Sequence, residues 1–228
     1  MLALKQALSL VSMRKLGGAW TPADETSLVA WFENQVGITL NGSDVSSWGD
    51  KAPGNLYDMV QTANVSRQPA YSGGVLTFVS AALTNLQSAE QISLVGDFTL
   101  GIRINTSTTN GAFLADNTSS NEFFKYATPS RILCKIAGSA STALDLDSGT
   151  FGDDYLVITR ASDVLTLYKN GVAQTGTTPT LAGTSLIDVI GVRESNKNAL
   201  DGTIKEIQIY SSSSADLIAN INDRLSTL

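Results

Sequence analysis

The sequence predicts an all-β fold, two antiparallel sheets packed face to face, with a single helix closing the chain. Three observations carry this expectation. Short runs that alternate or are rich in β-branched and aromatic residues recur about every 8–14 residues and are bounded by Gly, Asn and Ser, the rhythm of a sandwich. The stretch Tyr155 to Gly171, YLVITRASDVLTLYKNG, holds two apolar alternating runs and ends on Asn170-Gly171, a pair suited to the positive φ angles of a type I′ turn. The residues from Ala215 onward change period, with Leu217, Ile218, Ile221 and Leu225 at helical spacing behind Ser214 as an N-cap.

Taken in order, Leu4, Ala7, Leu8 and Val11 recur at three and four, one face of a short helix that Gly17-Gly18 breaks. Residues 1–20 are therefore expected to form an arm, and residues 21–228 the sandwich. The first strand is expected over Ser27 to Phe32. A polar loop through Gly37 and Asn41-Gly42-Ser43 should follow, then a strand from Val45 running into the turn Asp50 to Asn55. Further strands are expected at Tyr57 to Gln61, Val75 to Val79, Phe98 to Ile104, Ala112 to Leu114, Phe123 to Tyr126, Arg131 to Ile136 and Ala143 to Leu146. Pairing the two runs of Tyr155 to Gly171 through Ala161 to Asp163 buries Leu156, Ile158, Leu165 and Leu167 on one face, as a sheet centre. Ser185 to Val192 and Gly202 to Tyr210 complete the strands. In the last, Ile204 and Ile207 share a face only if a bulge intervenes.

Composition excludes several function classes. Charged residues are 16% of 228 and the formal net charge is −6, which argues against nucleic-acid binding, since phosphate recognition needs clustered Lys and Arg. Lys51, Lys125 and Lys169 form no run, so no charged stripe for nucleic acid or membrane is expected. The charge is uneven: residues 1–23 hold Lys5, Arg14 and Lys15 with no acid, a local +3 that leaves −9 for the rest. The lone Cys134 lies in an apolar run, where a buried structural thiol is expected. No apolar run approaches the ~18 residues of a membrane span, and the first twenty residues make a poor secretory signal.

Histidine is absent, which removes Ser-His-Asp and Cys-His nucleophiles and every His-ligated metal site. Glu33, Glu90, Glu122, Glu194 and Glu206 are scattered, and no closely spaced carboxylate pair of the kind a glycosidase needs is written locally. No catalytic residue and no enzymatic activity are expected. The one acidic cluster, Asp145, Asp147, Asp153 and Asp154, could ligate Ca²⁺ through oxygens. It fails the EF-hand template, with Thr150 in place of the glycine and Leu156 in place of the terminal glutamate. The other reading is a turn-forming loop whose Asp side chains bond nearby backbone.

Four segments in order give the chain a resemblance: Leu28-Val29-Ala30-Trp31-Phe32; Val45-Ser46-Ser47-Trp48-Gly49-Asp50 running into Gly54-Asn55; Leu167-Tyr168-Lys169-Asn170-Gly171-Val172; and Asp201 to Ile207 with Ile209-Tyr210 and a closing helix. Over residues 24 to 228 the chain resembles the concanavalin A-like, laminin-G-like jelly-roll group. It is similar in particular to laminin-G-like proteins of marine bacteriophage virions, which place a short basic amphipathic N-terminus before such a sandwich. The resemblance implies a core of Trp31, Phe78, Phe98, Leu156, Ile158, Leu165, Leu167 and Ile209. It further implies a non-enzymatic structural protein of a phage particle, a capsid decoration or tail-associated protein made in the host cytoplasm. Its arm, through Leu4, Lys5, Leu8, Val11, Arg14 and Lys15, would attach it to other virion proteins or to a sister copy in a homo-oligomer. The alternative expectation is a lectin domain recognising host-surface glycan, and the third a glycan hydrolase. Trp48 either packs under the Asp50 to Asn55 turn or stacks on a sugar, so Trp48, Asp50 and Asn55 are the candidate glycan contacts.

Overall fold

The computed structural model describes residues 19–106, 109–120 and 122–228; the arm residues Leu4, Lys5, Leu8, Val11, Arg14 and Lys15 lie outside them. The chain opens with β1 (Leu28–Phe32), the hairpin β2 (Ile38–Asn41) and β3 (Asp44–Trp48), then β4 (Met59–Val60), β5 (Ala70–Ser72) and β6 (Val75–Phe78). Two long strands, β7 (Leu86–Leu94) and β8 (Phe98–Thr106), lead into β9 (Ala112–Ala115). A meander follows, of β10 (Phe123–Thr128), β11 (Arg131–Lys135) and β12 (Thr142–Asp145). The chain continues with β13 (Asp153–Ala161), β14 (Val164–Lys169), β15 (Val172–Ala173), β16 (Ser185–Ile190) and β17 (Gly202–Tyr210), and ends in α1 (Ala215–Ser226).

Among the described residues the strands named here pair antiparallel and fall into two layers. The first runs β17–β8–β13–β14–β15, with β1 and β6 sharing the free edge of β17. The second runs β4–β7–β16–β9–β10–β11–β12. Along one side they are continuous through β6, β5, β3 and β4. Between the layers lies one apolar core, in which Leu100, Ile102, Leu156, Ile158, Leu165 and Leu167 of the first sheet meet Phe113, Phe124, Tyr126, Ile132 and Ile187 of the second. Phe98 of β8 meets Phe124 of β10 edge-on at 6.1 Å, an aromatic contact across the two layers.

The expected hairpin is present: β13 and β14 pair from Leu156↔Lys169 to Ala161↔Val164, and Leu156, Ile158, Leu165 and Leu167 are buried. Its turn is Ser162-Asp163, with φ of 49° and 67°. Asn170-Gly171 also adopts positive φ, 50° and 79°, but the strand it opens is only the two-residue β15 at the sheet edge. The bulge required in the last strand lies between Ile204 and Glu206, where the pairing with β8 shifts, and it puts Ile204 and Ile207 into the same core. Cys134 is a buried thiol whose pKa burial pushes up.

Three strands differ from expectation: β5, not expected at all, pairs with β6 from Ala70↔Thr77 to Ser72↔Val75, and the other two are β2 and β7. Ile38–Asn41, read as loop, pairs with β3. The nine-residue β7 has exposed Ala89, Glu90 and Gln91 at its middle, where its register against β16 jumps from Ile187↔Ile92 to Val189↔Gln87; a strand that arches out of the sheet carries no alternation there. Trp31 is buried, but on the opposite face of β1 from Ala30 and Phe32, which enter the core.

Helix α1 is capped by the Ser214 hydroxyl, which accepts from the Leu217 amide at 3.3 Å. It lays Leu217, Ile221 and Leu225 on the outer face of the first sheet, against Val157 and Tyr210, with Trp20 and Leu28 alongside. The helix lies so close to β8 that a Cβ on Gly101 would stand 2.5 Å from Ile221 Cγ2 and 3.3 Å from Leu225 Cδ1. Gly101→Ala is therefore expected to destabilise the fold by about 1–3 kcal/mol through overpacking. Urea unfolding checks this, and Ile221→Ala in the same chain should recover part of the loss.

Candidate functional site

The first sheet is covered on its outer face by α1, whereas the second presents an outer face of its own. On β10, Phe124 and Tyr126 point into the core, so the alternate residues Phe123 and Lys125 point outward. On β11, Ile132 and Cys134 are in the core, and Leu133 and Lys135 face out. The register sets Phe123 opposite Lys135 and Lys125 opposite Leu133, so each cation has an apolar side chain across the strand pair. With Ser120, Ser141 and Arg193 these residues line a depression of about 330 Å³. Its floor continues into Ala112, Ala115, Val189 and Val192, which pack with Phe123 in a small outer cluster.

Arg193 reaches this face from the loop after β16. That loop turns tightly, with Ser195, Asn196 and Asn198 at φ of 53°, 62° and 48°, conformations Asn accepts more readily than most residues. Asn198 Oδ1 accepts from Arg193 Nε at 2.5 Å, and the Ser120 carbonyl accepts from Nη1 at 3.4 Å. The loop is moored in turn on the main chain of the segment after β9, which the buried Asp188 carboxylate holds. The Asp116 carbonyl accepts from the Glu194 amide at 3.2 Å, and Asp188 Oδ1 accepts from the Asn117 amide at 2.7 Å. Burial raises the Asp188 pKa, and the charge of Asp116 adds to it against hydrogen bonds that pull it down.

Two cations stand over one ring: Lys125 Nζ lies 5.3 Å and Arg193 Cζ 4.9 Å from the Phe123 centroid. Phe123 itself is only 4% exposed. Lys125 also donates to Asn110 Oδ1 at 2.7 Å, and its pKa is lowered by burial and by the neighbouring Arg193 charge. Glu122, beside the depression, has its carboxylate engaged by the Ala137 and Leu186 amides at 2.5 and 3.4 Å. Among the described residues no carboxylate lines the depression itself. Electrostatically this is an anion-attracting concavity on a chain of net charge −6. Lys125, which in sequence belonged to no run, thus joins a basic cluster with Lys135 and Arg193.

The expected glycan contacts are not here, and two of the three are unable to touch a ligand. Trp48 is fully buried, packed on Phe32 at 5.7 Å with Nε1 donating to the Glu33 carbonyl at 3.1 Å. Asp50 is 2% exposed, and its carboxylate accepts from the amides of Trp31, Ala52 and Tyr57 at 2.9, 2.9 and 3.4 Å, fixing the turn to β1. Asn55 is exposed at φ 45° and shapes the turn. Buried in this way, Trp48 presents no face on which a sugar could stack.

The four aspartates do not converge on a calcium site either. Asp145 pairs with Arg131 Nε at 2.6 Å and Asp153 with Arg103 at 2.9 Å. Asp154 meets Lys169 Nζ at 3.2 Å and Asn170 Nδ2 at 2.7 Å. Asp147 accepts from the Thr175 and Gly176 amides at 2.8 and 2.6 Å, which holds its pKa below the usual carboxylate range. Among the described residues no group of three or more His, Cys, Asp or Glu stands where it could hold a metal ion.

No protein-family model and no curated protein sequence matches the chain. Solved structures do match. A sialidase of Trypanosoma rangeli aligns over 90% of this chain with a TM-score of 0.57 at 14% identity. The receptor-binding domain of botulinum neurotoxin type G aligns over 89% with a TM-score of 0.53 at 12% identity. The chain spans about a third of that sialidase and about half of that neurotoxin domain. At such identities the likeness is one of fold alone: the chain shares an all-β, antiparallel sandwich architecture with these structures.

Proposed function

We propose that this chain is a non-catalytic, lectin-like module that binds a glycan in the depression over Phe123, and that it is carried on the surface of a phage particle. The depression is the observation that carries the ligand reading. It lies on the outer face of the second sheet, is walled by polar and cationic side chains, and has the modest volume of a small-ligand site. The lectin-like fold supports it. Against catalysis, the buried Glu122, Asp188 and Glu206 are each committed to hydrogen bonds from neighbouring groups. The virion setting, the capsid or tail location and the host-cytoplasmic origin rest on the sequence resemblance. The basic residues Lys5, Arg14 and Lys15 support an arm that docks on another virion protein or a sister copy by charge attraction.

Binding is tested by presenting the purified chain to a panel of neutral and charged glycans while recording amide hydrogen exchange. At least one glycan class should be retained, with protection appearing in residues 122–135 and 193–198, and no reducing ends should be released. Retention of none, or protection only elsewhere, would show the ligand reading to be wrong. Density for the chain in a map of the assembled particle tests the setting.

A further inference from the structure

Resting on the glycan reading above, we infer that the depression selects an anionic saccharide, one whose carboxylate or sulfate ester sits among Lys125, Lys135 and Arg193 with its ring edge over Leu133. The first argument is what the site denies to an uncharged sugar. Neutral sugars are commonly held by stacking on an open aromatic face, and the only aromatic ring here is 4% exposed beneath two cations. The second is the placement of charge. Three cations from two strands and a loop converge on one depression whose lining, among the described residues, holds no carboxylate. Lys125 and Arg193 repel each other, and an anion between those two relieves that repulsion while gaining charge-assisted hydrogen bonds.

The wall is also of the right kind. Ser120 and Ser141 supply hydroxyls at the rim and Leu133 an apolar contact, so one charged group and one sugar ring can be satisfied at once. A depression of about 330 Å³ suits one or two sugar units. Nucleic acid is disfavoured by the same geometry, because single strands need exposed stacking platforms and duplexes need a longer basic track.

Arg193 also holds its loop through Asn198 and Ser120, so the test uses the lysines. The full chain is immobilised and titrated with a sulfated galactan oligosaccharide, an oligouronate, their neutral counterparts of equal length, inorganic phosphate and oligothymidylate. The charged oligosaccharides are expected to bind at least about tenfold more tightly than the neutral ones, and less tightly as salt rises. Lys125→Gln and Lys135→Gln should each weaken that binding by about tenfold, the size of a lost charge-assisted contact, with an unchanged melting temperature. Lys51→Gln, an exposed cation outside the depression, should leave it as it was. Neutral glycans binding equally well, or lysine variants without effect, would overturn the inference and leave the glycan reading standing. Phosphate or oligothymidylate binding as tightly through the same lysines would overturn it in favour of a general anion site. Retention of no glycan at all would sink the parent reading instead.

Discussion

Arg160→Ala is expected to destabilise the protein by about 3–5 kcal/mol, roughly 10 °C or more in Tm for a chain of this size. The guanidinium, at the end of β13, is fully buried and is met by main-chain oxygens in place of a carboxylate. Nε donates to the Gly96 carbonyl at 2.7 Å, Nη1 to Gly183 at 2.6 Å and Leu181 at 3.3 Å, and Nη2 to Leu94 at 3.3 Å and again to Gly96. Its plane lies over Phe98, 4.8 Å from the ring centroid. These carbonyls belong to the β7–β8 turn and to the segment before β16, so one side chain ties the first sheet to both neighbouring strands of the second. Truncation strands several buried acceptors and leaves a cavity, and each unsatisfied group costs about 1–3 kcal/mol. Burial pulls the guanidinium pKa down, with Asp163, Asp97 and Glu122 acting against it. Arg160→Lys should therefore recover only part of the stability, since an ammonium offers fewer donors in a less extended array. A urea midpoint for Arg160→Ala indistinguishable from the parent would refute the clamp.

Glu206→Ala is expected to have a similar effect, about 3–5 kcal/mol, by a different route. Its carboxylate is 0% exposed. Oε1 accepts from Arg224 Nε at 2.5 Å, Gln208 Nε2 at 2.7 Å and Trp31 Nε1 at 3.2 Å, and Oε2 accepts from Arg224 Nη2 at 3.0 Å and the Asn34 amide at 3.2 Å. Arg224, on α1, also stacks over Trp31 at 5.0 Å. Removing the carboxylate leaves the cation beside a buried tryptophan with only the 3.4 Å contact to Glu33, and three other donors, on Gln208, Trp31 and Asn34, without their acceptor. Glu206→Gln should cost less, because an amide oxygen still accepts. Hydrogen exchange should show α1 opening at lower free energy than the core strands in Glu206→Ala. The double variant Glu206→Ala, Arg224→Ala should be less destabilised than the sum of the singles. Simple additivity would show that the helix is held by its apolar face alone.

Sequence by itself determined the elements whose chemistry is local. The capped helix from Ala215, the paired runs around Leu156 and Leu167, the bulge implied by Ile204 and Ile207, and the burial of Cys134 all follow from period, turn propensity and side-chain volume within a few residues. The all-β class and the two-layer architecture follow from the same local signals repeated along the chain. Where local chemistry was silent or two-sided, tertiary structure decided. Ala89 to Gln91 arch out of β7, which hid that strand. Trp48 is amphipathic, so only the packing of Phe32 and the Glu33 carbonyl settled that it is covered. Asp145 to Asp154 read as one acidic cluster, yet strand geometry sends each carboxylate to a different partner. The basic depression was beyond local reading for the opposite reason. Lys125, Lys135 and Arg193 are far apart in the chain, and only the β10–β11 register, with the left-handed loop after β16, sets them on one face. Charge convergence depends on register and loop geometry, which long-range pairing fixes, whereas the burial of an aliphatic residue in an alternating run follows from that run's own periodicity.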